Sequence, residues 1–344
     1  MAARISRGRR AYINLAINGQ NVTEKLYPYR KSVTFTDVAS GSSDSISITL
    51  IDRDGLWMDA WYPTKGDEIV GGAFFRDWLE EGDVHTITYG DFILDSIKFS
   101  GNPSEATFGG LAIPQDRSFK TRQRTQTWEN VTLQEIGSEI AGRYGLTLMY
   151  NAEAITIESL EQTDKTDSDF LYSTVKDYCL KMKVYNRHIV IFDAGILEAK
   201  DPVATITRRD FENDTWDYAD ELEGTYTGAI IKYKTDGSSD EISVSVGNAD
   251  EDSPKARVLY VNTKVDNEAD AIRKAKAKVN EANEAATTLS GTLWGHPRIA
   301  SGVTVMVAGM GRASGKYYVE KVVTTISDGS TTQKITMHKV YQRL

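Results

Sequence analysis

Polar and apolar residues alternate with a period of two over residues 32–37 and 45–51. That period is the mark of half-buried strands. The loop Gly41-Ser42-Ser43-Asp44 between them suits a hairpin. Asp52-Arg53-Asp54-Gly55 is a turn signal, after which Leu56 and Trp57 restart the apolar pattern. Gly66-Asp67 and Gly90-Asp91 open further strands at 68–74 and 92–99. Many short strands punctuated by glycine predict a β-barrel or sandwich for residues 1–115.

The pattern changes over residues 116–200. Leu133, Ile136, Ile140 and Ala141 recur at helical spacing after Asn130-Val131-Thr132. Thr132 with Glu135 three positions later forms a capping box, and Gly145 ends the helix. A second helix is expected from about residue 166, presenting Phe170, Leu171, Val175, Tyr178, Cys179 and Met182. A strand at 189–192 follows. This segment predicts a small α/β insertion domain.

Residues 201–344 return to β, except for 267–287. That stretch is rich in Ala, Glu, Lys and Asn and lacks Gly and Pro, so it predicts a helix. Its apolar stripe (Ala271, Ile272, Ala275, Val279, Ala282, Ala286) needs a packing partner. The two β regions also echo one another. Residues 41–50 align with Gly237-Ser238-Ser239-Asp240-Glu241-Ile242-Ser243-Val244-Ser245-Val246. Gly66-Asp67-Glu68-Ile69 aligns with Gly302-Val303-Thr304-Val305, and residues 90–97 with 315–322, in the same order. The expectation is a mainly β (α+β) chain of two related barrels, 1–115 and 201–344, flanking the insertion.

Composition narrows the function. With 344 residues the chain has room for two or three domains. A net charge of -9 disfavours general binding to duplex DNA, whose phosphates demand basic surfaces. One cysteine, Cys179, excludes an internal disulfide, and four histidines argue against structural zinc. The basic N-terminus (Arg4, Arg7, Arg9, Arg10) has no apolar run of signal-peptide type after it, and no stretch is long enough for a membrane span. Folding in a cytoplasm is expected.

Catalytic signatures are missing. The acid pairs Glu80-Glu81, Asp220-Glu221 and Asp250-Glu251-Asp252 are sequence neighbours, whereas glycoside hydrolysis needs carboxylates facing one another across a substrate. Asp52-Arg53-Asp54-Gly55 lacks the later Glu of a calcium loop. Cys179 falls on an apolar helix face, the setting of an inert thiol, although His188 is nearby. Arg117, Lys120, Arg122 and Arg124 form a second basic cluster. Glu212, Asp214, Asp217, Asp220, Glu221 and Glu223 form an acidic run without a base, either a solvated face or the wall of a passage for a polyanion.

The C-terminal half resembles the phage late control gene D family, the baseplate hub of contractile tails. The likeness rests on Gly295-His296-Pro297-Arg298-Ile299-Ala300-Ser301-Gly302, similar to "G-H-P-x-L…G", and on Gly315, Tyr317, Val319 and Val322, similar to "G-x-Y-x-V-x-x-V". Ser168-Asp169-Phe170-Leu171 resembles that family's "S-D-x-x-F-L" helix, and Thr132, Leu133 and Ile136 its "T-L-x-x-I" segment. Gly66, Asp67 and Asp95 fit its first β domain. The likeness spans roughly 30–344 and departs from the pattern at Ile299, where Leu is usual, and in the acidic link 210–224.

The resemblance implies a structural protein with no catalytic residues, cofactor or metal. It implies a homotrimer whose six barrels join a hexameric tail tube, or its initiator, to a trimeric central spike. Baseplate wedge proteins and the tape-measure protein are further implied partners. The implied location is the tail baseplate of a virion or tail-like bacteriocin, assembled in the host cytoplasm without membrane insertion. DNA would be met only in transit. Three copies at -9 each would carry -27, and the run 212–223 is the candidate bore lining that lets DNA slide. Two rival readings remain. One is a distal tail or tail-associated protein of a non-contractile tail. The other is a cell-wall hydrolase or glycan-binding module, for which no room is expected after the second barrel.

Overall fold

The structure, a computed structural model, describes residues 8–114, 116–234 and 241–344. Arg4, Arg7 and Gly237-Ser238-Ser239-Asp240 lie outside the described residues.

The strands of the N-terminal half are β1 (Arg10–Ile17), β2 (Gln20–Asn21), β3 (Arg30–Val38), β4 (Ser45–Ile51), β5 (Glu68–Arg76), β6 (Val84–Ser100) and β7 (Glu105–Leu111), with helix α1 (Thr23–Leu26) after β2. Next come α2 (Ser118–Thr121), β8 (Gln123–Thr132), α3 (Leu133–Arg143), β9 (Thr147–Asn151), β10 (Thr156–Thr166), α4 (Asp167–Asp177), β11 (Lys181–Tyr185), β12 (His188–Phe192) and α5 (Ala194–Glu198). The C-terminal half holds β13 (Thr205–Thr207), β14 (Phe211–Asp220), β15 (Gly228–Lys234), β16 (Glu241–Gly247), β17 (Val258–Val261), α6 (Glu268–Glu284), β18 (Thr287–Leu293), β19 (Thr304–Ala308), β20 (Gly315–Ser327) and β21 (Ser330–Lys339).

The two halves are one sheet. Thirteen strands run in the order β14-β18-β21-β20-β3-β4-β7-β6-β5-β1-β2, with β19 joined to β20 and β13 to β19. Within it a six-strand pattern occurs twice: β3-β4-β7-β6-β5-β1 and β14-β18-β21-β20-β19-β13. One detail differs, since β1 runs antiparallel to β5 while β13 runs parallel to β19. Each pattern curls around its own core. Leu15, Phe35, Ile48, Phe75, Phe92 and Phe108 fill the first, and Phe211, Leu289, Val305, Tyr317, Val322 and Met337 the second. The chain is mainly β, as the alternation predicts.

The repeats share small features. A β-bulge interrupts β6 between Leu94 and Ser96, and β20 between Val319 and Lys321. The bulged residues are the acids Asp95 and Glu320, matched in the sequence. Just before each bulge the chain makes the same two backbone bonds. Gly66 N donates to Leu94 O (2.9 Å) and Leu94 N to Asp67 O (2.8 Å); Gly302 N donates to Val319 O (2.8 Å) and Val319 N to Val303 O (2.9 Å). Two of the three sequence alignments therefore fall on equivalent strands.

The third does not. The counterpart of β4 is β18, so Ser45-Ile46-Ser47-Ile48-Thr49-Leu50 matches Thr288-Leu289-Ser290-Gly291-Thr292-Leu293. The residues 241–246 lie instead in β16, part of a separate three-stranded sheet, β16-β15-β17. Helix α6 covers that sheet with Ala271, Ala275 and Val279, all fully buried. The helix expected at 267–287 thus serves a small βββα unit inserted between β14 and β18, and it ends at Glu284.

The insertion between the halves has its own core around Leu133, Ile136, Phe170, Leu171 and Ile189. Thr132 and Glu135 form the expected capping box, and Gly145 turns the chain at φ +65°. The second helix closes at Asp177, so Met182 sits on β11, not on the helix.

Candidate functional site

The residues that carry the family likeness do not converge on one cleft. They fix turns and cores across all three regions. Gly66 and Gly302 adopt φ of +100° and +80°, where a side chain would be strained, and each begins the backbone ladder described above. Asp67 accepts from Thr64 N and from the Asn18 side chain. Asp95 lies 3.6 Å from Arg117. Leu133, Ile136, Phe170 and Leu171 are buried in the insertion core, while Asp169 is exposed and its N–H donates to the Thr166 cap. Gly315 opens β20 at φ +148°, where an added Cβ would lie 2.7 Å from Lys339. Tyr317 is fully buried, donates to Ala313 O and sits beside the equally buried Val319.

The Gly295-His296-Pro297 turn couples the two repeats. Trp78 of the first half donates from Nε1 to Gly295 O at 3.0 Å. His296 N donates to Gln333 Oε1 at 2.6 Å, and its Nδ1 accepts from Arg298 N. Burial, reinforced by Arg298, pushes the His296 pKa down to about 4, so the ring is neutral. A neutral imidazole held by its own turn is a structural fixture.

The acids of 212–223 do not form one face. Asp214 is bound by Arg208 and accepts from Trp216 Nε1; those hydrogen bonds hold its carboxyl down at about 2. Asp220 accepts from Thr287 and Tyr218. On β14, Trp216 and Tyr218 turn toward the second core, and Asp217 and Ala219 toward the opposite face. Glu221 and Glu223 lie beyond the strand, exposed, and Glu212 is half-buried. The Arg117–Arg124 cluster is likewise dispersed: Lys120 bonds Ser43, and Arg124 pairs with the buried Asp167.

What does form a continuous surface is the hydroxyl-rich face of the sheet. Ser32, Thr34, Thr36, Ser45, Ser47, Thr49 and Thr107 alternate with buried apolar neighbours in the first repeat, and Ser96 joins them after the bulge. Thr288, Ser290, Thr292, Thr325 and Thr336 continue it in the second. Sequence reading missed this face because serine and threonine in alternation look merely solvated.

No chemistry-bearing cluster accompanies it. Among the described residues no group of His, Cys, Asp and Glu could hold a metal, and no helix is long and apolar enough to cross a membrane. Cys179 is buried; desolvation, with Glu284 adding to it, pushes its thiol up to about 11. His188 bonds Thr147 instead. Cys179 is expected to react with a thiol reagent at least about a hundredfold more slowly in the native chain than after unfolding, read by absorbance. Comparable rates would contradict its burial.

No family model matches the sequence, and no curated protein does. Solved structures do match in fold. The 43 kDa tail protein of prophage MuSo2 from Shewanella oneidensis superposes with a TM-score of 0.70 at 13% identity, covering 96% of this chain and 98% of that one. The tail protein from Neisseria meningitidis MC58 gives 0.68 at 12%, covering 96% of each. The Escherichia coli c3393 protein, a type VI secretion component described as similar to T4 tail proteins gp27 and gp5, gives 0.54 at 12%, with 92% of this chain and 74% of that one covered. This chain therefore has the fold of phage tail proteins over nearly its whole length.

Proposed function

We propose that the chain is a structural component of a phage tail or tail-like particle, and within it the baseplate hub: a homotrimeric adaptor between a hexameric tube and a trimeric central spike. The observation that carries this reading is the duplicated six-strand pattern in one continuous sheet. A ring closes only when repeat and rotation agree. Three copies of a doubled unit present six similar sheets to a six-fold tube while keeping three-fold symmetry for a spike. The tail fold of the matched structures supports the same reading.

The bulk of both repeats lies on the core side of the sheet, so a closed cylinder would turn the hydroxyl face inward. That surface offers mostly neutral hydroxyls, with a few charges, among them Lys98, Lys321, Lys334 and Asp217. Hydroxyls give a polyanion no cation to neutralise, so attraction would be limited to the few lysines. This replaces an acidic lining by 212–223 as the reason for passage. The role assigns no catalytic step and no cofactor. The tube or its initiator, the spike, the wedge proteins and the tape-measure protein are the proposed partners.

Mass measurement of the purified chain in solution tests the reading. A trimer, alone or on addition of the spike, is expected. A monomer under both conditions would overturn it.

A further inference from the structure

The chain contains one example of how two repeats join. Strand β20 lies against β3 with Lys321 opposite Val38 and so on to Ser327 opposite Ser32. Thr34 and Thr325 share a hydrogen bond across this seam at 3.1 Å, and Ile326 enters the core of the first repeat. The edge of β20 that makes the seam begins immediately after the bulge at Glu320.

Both partners of that seam have an unpaired counterpart. On its β5 side, β6 is paired in the ladder only as far as Ile93. Among the described residues, the stretch 96–100, after the bulge at Asp95, has no strand there. Among the described residues, strand β14, the counterpart of β3, is paired to β18 alone. An exposed edge of this kind is a template for another chain.

We infer that these two edges join one copy of the chain to the next, as β20 joins β3 within it. This inference rests on the ring reading and specifies its contacts. The two bulges equate Ile97, Lys98, Phe99 and Ser100 with Val322, Val323, Thr324 and Thr325. The pairings of β4 and β18 equate Phe35 with Tyr218, because Ile46 faces Phe35 and Leu289 faces Tyr218. Transferring the internal register then places Ile97 opposite Asp220, Lys98 opposite Ala219, Phe99 opposite Tyr218 and Ser100 opposite Asp217 of the second copy.

The side chains suit that register. Phe99 and Tyr218 are each half-buried on the core side, where their counterparts Thr324 and Phe35 are fully covered. Lys98 is exposed on the hydroxyl face, and the new partner would set Asp217 at its diagonal, a favourable opposite-charge position. Ser100 would meet Asp217 where Thr325 meets Thr34. Three such seams and three internal ones close a ring of six repeats with no sheet edge left over at these strands.

Cysteine pairs test the register. Directly opposed residues in an antiparallel pair sit about 4.5–5.5 Å apart at Cα, within the range a disulfide bridges. Diagonal neighbours at roughly 7–8 Å fall outside it. Mixing Lys98→Cys chains with Ala219→Cys chains under mild oxidant is expected to give disulfide-linked dimers. The double variant is expected to give a covalent trimer. A mixture of Lys98→Cys with Asp217→Cys, two positions out of register, should yield about tenfold less. All three positions have partly or fully exposed side chains, and the native Cys179 is too buried to compete. A trimer in solution that forms no Lys98/Ala219 disulfide overturns this seam and leaves the hub reading standing. A chain that stays monomeric with and without the spike, and forms no disulfide, overturns both.

Discussion

Replacing Glu198 by alanine is expected to destabilise the chain by about 3 kcal/mol, because it removes a carboxylate shared by the buried His338 and the half-buried Arg343, each of which keeps one other acid. Glu198, at the end of α5, is 4% exposed on its side chain. It accepts from His338 Nε2 at 3.0 Å and from Arg343 Nε at 2.9 Å. His338 lies on β21, also bonds Glu320 on β20, and is itself fully enclosed. Arg343 reaches Glu284 of α6, which holds Lys181 of β11. Glu198 and Glu284, bridged by Arg343, therefore tie the insertion domain, the second repeat, the βββα unit and the C-terminal tail together.

The same group of contacts sets a pH signature. Burial opposes charge on His338, but the hydrogen bonds its ring donates to Glu198 and Glu320 outweigh it and lift its pKa to about 9. Burial likewise opposes charge on Glu198, and Arg343 and His338 overcome it, holding the carboxyl at about 2. A histidine raised in the folded state adds stability that is complete below its unfolded value and is lost as pH climbs through about 9. Glu198 adds stability that is complete above its unfolded value and is lost only as pH falls toward about 2. Denaturant midpoints should therefore fall for the native chain between about pH 6 and pH 9.5, and fall much less for Glu198→Ala. Equal slopes in the two proteins would remove His338 as the cause.

These contacts show where local sequence stops being informative. Alternation located β3 and β4 because each has one buried face, and Thr132 with Glu135 located the start of α3 because capping is a three-residue matter. The seam joining β3 to β20 pairs residues as distant as Thr34 and Thr325, 291 positions apart, and nothing in either strand names its partner. The repeat was half legible for a related reason. Glycine and acid positions at Gly66, Gly302, Asp95 and Glu320 are fixed by backbone turns and bulges, so they persist. The match of β4 to β18 was hidden because Gly291 replaces an isoleucine, and an added Cβ there would lie 2.5 Å from the Phe211 ring that fills the space. An insertion of about sixty residues then moved β18 far from its expected place, and the more similar β16 drew the alignment instead. The acidic run looked like a surface by charge alone, yet strand geometry sends Asp214 and Asp217 to different surroundings. The strand edge at 96–100 reads as ordinary half-exposed strand, and only the folded chain shows that β5 pairs with β6 no further than Ile93.

The insertion domain is expected to fail most sharply at Asp167. Its neighbour Asp169 carries the family likeness, but Asp169 is exposed, and the buried carboxylate is Asp167, with no exposed surface. Asp167 is the first residue of α4, where the helix dipole favours a negative charge. Tyr144 Oη donates to it at 2.7 Å, Gln162 Nε2 at 2.8 Å and Arg143 Nη1 at 3.1 Å, and Arg124 pairs with it at 3.1 Å. These donors come from α3, its cap, β10 and β8, and β8 and β10 form a two-stranded sheet, so the carboxylate pins both helices to it. Burial works against ionisation, yet the bonds from Gln162, Tyr144 and Arg143 hold the carboxyl below the ordinary range. Asp167→Ala removes the shared partner of two guanidiniums and a phenol, and one of the two acceptors of the Gln162 amide, at a cost of about 3–5 kcal/mol. Asp167→Asn keeps the shape and part of the bonding, so its cost should be smaller. Because the folded pKa is depressed, the contribution is present above the unfolded value and lost as pH falls below it, and the gap between native chain and Asp167→Ala should close in acid. Amide hydrogen exchange over α3 and α4 is the measurement that localises the effect. Faster exchange there, with β20 and β21 unchanged, is the expected result, and uniform loosening of the whole chain would show that Asp167 does not act within the insertion alone.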